Sequence, residues 1–139
     1  MRTFMLAFIA LISLALSGAA HAQTDQAQTV QDVLQQNRVL IEKSSRKTIE
    51  PAIAELAASG LAQAQDVLQK WQSKEMWQRK SDGLFFYGVP AEDKQIALFD
   101  FEDNTEIGVF PKSDLKQLKP NSGVRAMIAA ALVQFQLSD

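Results

Sequence analysis

Cysteine is absent from the 139 residues, and histidine occurs once, at position 21. Without cysteine no disulfide braces the fold, and neither a thiol nucleophile nor a thiolate metal site is available. A basic surplus is missing too: 14 Lys and Arg stand against 16 Asp and Glu, for a net charge of −2. Nucleic acid, which needs a strong positive excess on one face, is therefore not an expected partner. Long apolar runs are also lacking. The one sizeable run, Phe4 to Leu16, falls short of the roughly 20 residues that span a bilayer.

That run has the form of an export signal. Met1-Arg2-Thr3 supplies the positive start, and Ala20-His21-Ala22 supplies a small-x-small cleavage site before Gln23. Removing residues 1–22 leaves 117 residues, takes away Arg2 so that the charge becomes −3, and discards the only histidine. The mature chain then has no Ser-His-Asp or Cys-His site and no ordinary zinc site. Carboxylate, lysine or tyrosine chemistry and oxygen-ligated cations are all that remain. This small kit moves the expectation away from catalysis and toward binding, with no cofactor and no metal. The expected location is periplasmic, with membrane association only through an uncleaved signal or a parent membrane protein.

Two segments follow. Residues 23–47 read as a polar lead and a first helix, with Val30, Val33, Leu34, Leu40 and Ile41 on its stripe and a polar break at 43–47. Residues 48–139 read as a single α+β domain. Its first part is a helix pair over 48–73. Thr48 is the expected N-cap, Pro51 sits in the first turn, and Gly60 ends the first helix. Ile49, Ile53, Leu56 and Ala57 face one way on the first helix; Leu61, Ala64, Val67, Leu68 and Trp71 do so on the second. Two short amphipathic helices split by one glycine resemble a HEAT-like unit. Two β-hairpins over 75–110 are expected to form a small antiparallel sheet, and a C-terminal helix is expected over 122–137.

The first hairpin is KEMWQRKSDGLFFYG, residues 74–88. Asp82-Gly83 suggests a two-residue turn with positive φ at both positions. That turn sets Gln78 opposite Tyr87 and Arg79 opposite Phe86. Alternation places Trp77, Arg79, Leu84 and Phe86 on one face, and Gln78, Lys80, Phe85 and Tyr87 on the other. Interleaved cations and rings could form a stacking platform for bases or sugars. A disulfide-free domain nevertheless needs those rings inside, so one face is expected to be core and the other a contact patch. Trp77, Arg79, Lys80, Phe85 and Tyr87 are the candidate partner contacts.

The acidic run Asp100, Glu102, Asp103, Asn104 and Glu106 lacks the alternation and the glycine of a calcium loop, and reads as a solvated hairpin tip. No pair of carboxylates stands out for hydrolytic chemistry. Asp114, Lys116 and Lys119 fall in a solvated turn or single helical turn. Arg125, unfavourable to the dipole at a helix start, is expected to pair with a carboxylate.

Five stretches in one order carry a family resemblance: ELAASG at 55–60, VLQKW at 67–71, MWQRKSDG at 76–83, DNTEIGVFPKSDL at 103–115 and NSGVRAMIAAAL at 121–132. Together they resemble the extracytoplasmic N-terminal domain of the urea ABC transporter permease, the B-type subunit of the branched-chain amino acid permease class. The resemblance spans about residues 48–139. It implies a non-catalytic domain that supports urea or amide uptake through protein–protein contacts. The implied partners are the permease membrane domain and the periplasmic solute-binding protein, and the implied site in a full permease is the inner membrane. In that family the chain continues into further helical repeats and membrane spans, which are expected to hold the pore. The competing readings are a stand-alone periplasmic module binding a small ligand or a protein, and, more distantly, a carboxylate-based hydrolase.

Overall fold

A computed structural model describes residues 28–137; the leader read over 1–22 and most of the polar lead lie outside the described residues. The chain is α+β, with helices α1 (Val30–Gln36), α2 (Arg38–Glu42), α3 (Glu50–Ala58), α4 (Ala64–Gln72) and α5 (Ser122–Leu137). Five strands lie between α4 and α5: β1 (Met76–Arg79), β2 (Phe85–Pro90), β3 (Gln95–Phe99), β4 (Glu106–Pro111) and β5 (Leu115–Gln117). Among the described residues no helix is long and apolar enough to cross a membrane.

The helices form one layer. Each presents a narrow stripe of apolar residues at helical spacing, and none could bury that stripe alone. Val33, Leu34, Ile53, Leu56, Leu68 and Trp71 meet Val124 and Ile128 of α5 in a core from which water is almost wholly excluded. The α3–α4 pair is present as expected, with Gly60 at φ +74 turning the chain after α3. The pair is closed by α5, which packs against both members. Thr48 does not cap α3: Ile49 occupies the cap position without a side-chain bond. The Thr48 hydroxyl instead meets Ser45 Oγ at 3.0 Å.

The first helix is part of this core, so the boundary expected at residue 47 is not a structural one. It breaks at Asn37 into α1 and α2, and the buried Asn37 amide donates to Val33 O at 2.9 Å and to Glu55 of α3. Two devices hold α1 at its start. Thr29 and Asp32 form a reciprocal capping box. Glu102, from the distant β3–β4 turn, accepts from the Val30 and Gln31 N–H groups at 2.9 and 3.3 Å.

Gln31 then completes the sheet. Strand β2 pairs with β3 only from Tyr87 onward, which leaves Phe85 without a ladder partner on that side. The Gln31 amide takes the place of that partner, accepting from Phe85 N at 3.0 Å and donating to Phe85 O at 2.8 Å. Orphaning two part-buried backbone groups makes Gln31→Ala expected to cost about 1–3 kcal/mol. Chemical denaturation with unchanged m checks this, and loss of hydrogen-exchange protection at Phe85 localises it.

The sheet runs β4-β3-β2-β1-β5, antiparallel throughout. Strands β4 and β5 lie at opposite edges, yet only Lys112–Asp114, one 3-10 turn, joins them. Flat, five strands would hold their edges about 19 Å apart. Four residue steps reach at most about 14 Å. The sheet must therefore coil until its edges approach. Inside the coil all five strands contribute: Trp77, Phe86, Ile96, Leu98 and Leu115 are buried there, with Leu84 and Phe110 packed on them. The opposite face carries Met76 and Phe85 into the helical core.

Two expectations fail here. Strand β5 lies where a solvated turn was read: Lys112–Asp114 is the helical turn, but Leu115 and Leu118 are buried. The hairpin turn has four residues, not two. Arg79 N donates to Leu84 O at 2.9 Å, Gly83 N to Arg79 O at 2.7 Å, and Gly83 alone has positive φ, +76. Gln78 thus lies opposite Phe85 rather than Tyr87. The slip is by an even number of residues, so the face assignment survives.

Candidate functional site

The five candidate contact residues do not form one surface. Trp77 is 8 % exposed inside the coil, and Phe85 is fully buried on the other face among the helices. Both faces of the hairpin are therefore occupied, and the expected free second face does not exist. Tyr87 is half-buried, stacked on Phe99 at 5.2 Å, with its hydroxyl on Asn104 Oδ1 at 3.1 Å and the Lys70 ammonium 5.1 Å above its ring. Burial raises the Tyr87 pKa, and the Asp66 charge adds to the effect.

Arg79 and Lys80 remain near the surface. The Arg79 guanidinium lies over the Phe86 ring at 4.9 Å and the Phe110 ring at 5.6 Å. Asp82 holds it from the side, with Nη2–Oδ2 at 2.5 Å and both oxygens 3.2 Å from Nε. Lys80 donates through its backbone to Asp114 O and through Nζ to Ser113 O, each at 3.0 Å. These contacts tie the β1–β2 turn to the Lys112–Asp114 turn. Between the two lies a cavity of about 350 Å³, lined by Arg79, Lys80, Ser81, Phe110, Ser113 and Asp114.

Two other surfaces stand out. On the outward face of the sheet, Val89, Ala97 and Val109 form one cross-strand row, and the helical layer does not reach its ends. Val89 and Val109 are each 46 % exposed, and Ile107 beside them is 38 % exposed. Ile107 is the extra residue of a bulge where β3 and β4 lose register, and Pro111 ends the edge strand; both discourage edge-to-edge pairing. What this corner offers is thus its apolar face. The second surface is a shallow groove of about 490 Å³ between α3 and α5, floored by Ile53, Ala57, Met127 and Ala131.

The acidic run forms the β3–β4 turn as expected, but it is not wholly solvated: Asp103, Asn104 and Glu106 are exposed, whereas Glu102 is part-buried against α1. Asp100 accepts from Glu102 N, Asp103 from Thr105 N and Oγ1, and Glu102 caps α1. Asn104 takes positive φ, +62. Among the described residues no group of three or more His, Cys, Asp or Glu is placed to hold a metal ion. Arg125 does not form the expected pair with a carboxylate among the described residues; the start of α5 is instead capped by Asn121, whose Oδ1 accepts from Val124 N at 2.9 Å.

Among the described residues four carboxyls are held below their ordinary values. The Thr29 backbone N–H lowers Asp32, and hydrogen bonds from Arg38 and then Gln78 lower Glu42. Arg79 lowers Asp82, and the Thr105 hydroxyl lowers Asp103. A depressed folded pKa means that the unfolded chain binds protons first as pH falls. The stabilisation is thus complete at neutral pH and is lost as pH drops through the folded values, below the ordinary carboxylate range. Glu42 matters most structurally, because it joins the buried Gln78 (2.7 Å) to α2. The thermal midpoint is expected to be level near neutrality and to fall in acid, with a shallower fall in Glu42→Gln. A midpoint that stays level through the acid range would remove these carboxylates from the stability account.

Hydrophobic pattern could locate the hairpin but not the cavity. The cavity depends on Ser113 and Asp114 arriving from a strand connection that carries no hydropathy signal. No protein-family model, curated protein or solved structure matches this chain.

Proposed function

We propose that this chain is a non-catalytic periplasmic docking domain that supports urea or amide uptake by an ABC transporter of the branched-chain amino acid permease class. Its partners in this reading are the permease membrane domain and the solute-binding protein that delivers substrate. The ordered stretches at 55–60, 67–71, 76–83, 103–115 and 121–132 motivate the transporter assignment. The observation that carries the docking role is the exposure of Val89 and Val109, the two ends of the row through the buried Ala97, together with Ile107, at the corner of a sheet whose other large apolar groups are covered. Exposed charged residues flank these strands in the chain: Glu92, Asp93 and Lys94 between β2 and β3, and Glu106 and Lys112 at the ends of β4. An apolar centre with a polar rim is the usual anatomy of a protein interface.

Val109→Glu tests it. The side chain already faces water, so the fold should hold with a stability change of roughly 0.5 kcal/mol or less. The full chain, co-expressed with the transporter's membrane subunits and binding protein, is expected to co-purify with them, and V109E is expected to be lost from the complex. Co-purification unaffected by V109E would move the interface elsewhere, and no association of the wild type would remove the docking reading. A second reading, a periplasmic module for a small ligand, is favoured by the Arg79–Ser113 cavity.

A further inference from the structure

We propose that the cavity between the β1–β2 turn and the Lys112–Asp114 turn binds a small zwitterion, a carboxylate that also carries an ammonium group, of the amino acid class. The cationic side is built in advance. Arg79 is fixed by two rings and by Asp82, which engages Nε and Nη2 and leaves Nη1 free to donate. Lys80 Nζ is held on Ser113 O by one of its three protons. A carboxylate entering here meets Arg79 Nη1, already ordered by its rings and by Asp82, and the Lys80 ammonium, anchored on Ser113 O, so that less entropy is lost in ordering them. The hydroxyls of Ser81 and Ser113 line the same space and make no hydrogen bond to any described residue.

Asp114 selects among anions. Its backbone carbonyl is used by Lys80 N, but its carboxylate has neither a hydrogen bond nor an ion pair among the described residues. A phosphate or dicarboxylate would place its second charge against that group. A zwitterion satisfies both signs, with carboxylate to Arg79 and Lys80, and ammonium to Asp114. At about 350 Å³ the cavity is a small depression open to solvent, with Lys80, Ser81, Ser113 and Asp114 exposed at its rim. The Phe110 ring gives it one apolar wall suited to a short aliphatic side chain. Phe110 points into the coil and Val109 outward, so the site is independent of the docking face.

The test is a titration of the full ¹⁵N-labelled chain, followed by amide shifts. Glycine and alanine are expected to shift Lys80, Ser81, Ser113 and Asp114. Acetate, methylamine and inorganic phosphate should each bind roughly tenfold or more weakly, the loss of one charge-assisted contact. Lys80→Gln and Asp114→Asn, both at exposed positions, should each weaken glycine by roughly the same factor while the remaining spectrum is unchanged. Silence of these amides toward millimolar amino acids overturns the proposal. So does acetate or phosphate binding as well as glycine, or unchanged affinity in both variants.

Discussion

Trp77→Ala is expected to destabilise the domain by about 3–5 kcal/mol, the range for removing a large buried ring. A domain of this size has about 5–15 kcal/mol in total, so the variant should stand near the edge of folding. The ring lies inside the coiled sheet with Phe86, Ile96, Leu98 and Leu115, where no helix can move in to fill the gap. Gly88 shows how tightly the ring is held: a Cβ there would lie 2.6 Å from Trp77 Cδ1 and 2.6 Å from Ile96 Cγ2. Gly88→Ala alone should therefore cost about 1–3 kcal/mol through overpacking. In the double variant the ring is gone and the methyl group has room on one side, so the combined loss should be smaller than the sum. Denaturant unfolding of all four proteins gives the coupling directly. A Trp77→Ala protein of normal stability that fails to bind a partner would instead make the ring a contact residue.

Where apolar residues recur at 3.6-residue spacing, the architecture was legible in the chain. Val124, Ile128 and Ala131 mark α5, and Val67, Leu68 and Trp71 mark α4, because each helix must bury one stripe. The period-2 alternation of β1 and β2 was equally clear, and it placed Trp77 with Phe86 and Phe85 with Gln78 on the right faces despite the wrong turn. Coiling of the sheet was not legible. It follows from β5, three residues long with two polar side chains, whose pairing with β1 is a long-range event that no local pattern announces. Without β5 the sheet looks two-sided, with one face to spare; with it, one face closes on itself and the helices cover the other except at the Val89–Val109 corner. The union of α1 with the domain was hidden for a different reason. Its apolar stripe was visible, but the contacts that tie it to the sheet, the helix pair and the β3–β4 turn come from Gln31, Gln35, Asn37 and Glu102, polar side chains that hydropathy assigns to the solvent.

For the candidate site, the residue types were visible and their grouping was not. Arg79 and Lys80 stood out beside aromatic residues, but the partners that make a cavity of them come from a separate connection more than thirty residues on. Trp77, Phe85 and Tyr87 were grouped with them by closeness in sequence. Burial separates them: Trp77 shares a face with Arg79 but lies inside the coil, while Phe85 and Tyr87 face the helices. The exposed ends of the Val89–Ala97–Val109 row come from two different strands, β2 and β4, which meet only through β3. Strand β2 runs to Pro90, a residue tolerated at a strand end, and the loop is only the Glu92–Lys94 turn.

Phe85→Ala is expected to cost a similar 3–5 kcal/mol, but by emptying the other core. Phe85 is fully buried between the sheet and the helices, in the same cluster as Leu34, Ile41 and Met76. Its backbone is clasped by Gln31 and its neighbour across β1 is Gln78, which reaches Glu42 of α2 and Gly83 O. Loss of the ring therefore loosens α1 and α2 together, whereas Trp77→Ala should leave them docked. Hydrogen exchange distinguishes the two: in Phe85→Ala the amides of 30–42 lose protection before those of β3, and in Trp77→Ala the order is reversed. Trp71, buried in the helical layer with its indole N–H unpartnered, reports loosening of that layer by fluorescence, and in Trp77→Ala it does so as the one remaining tryptophan. If both substitutions released the same set of amides at the same denaturant concentration, the two clusters would form a single cooperative core. Residues 30–42 would then be as integral to the fold as the sheet itself.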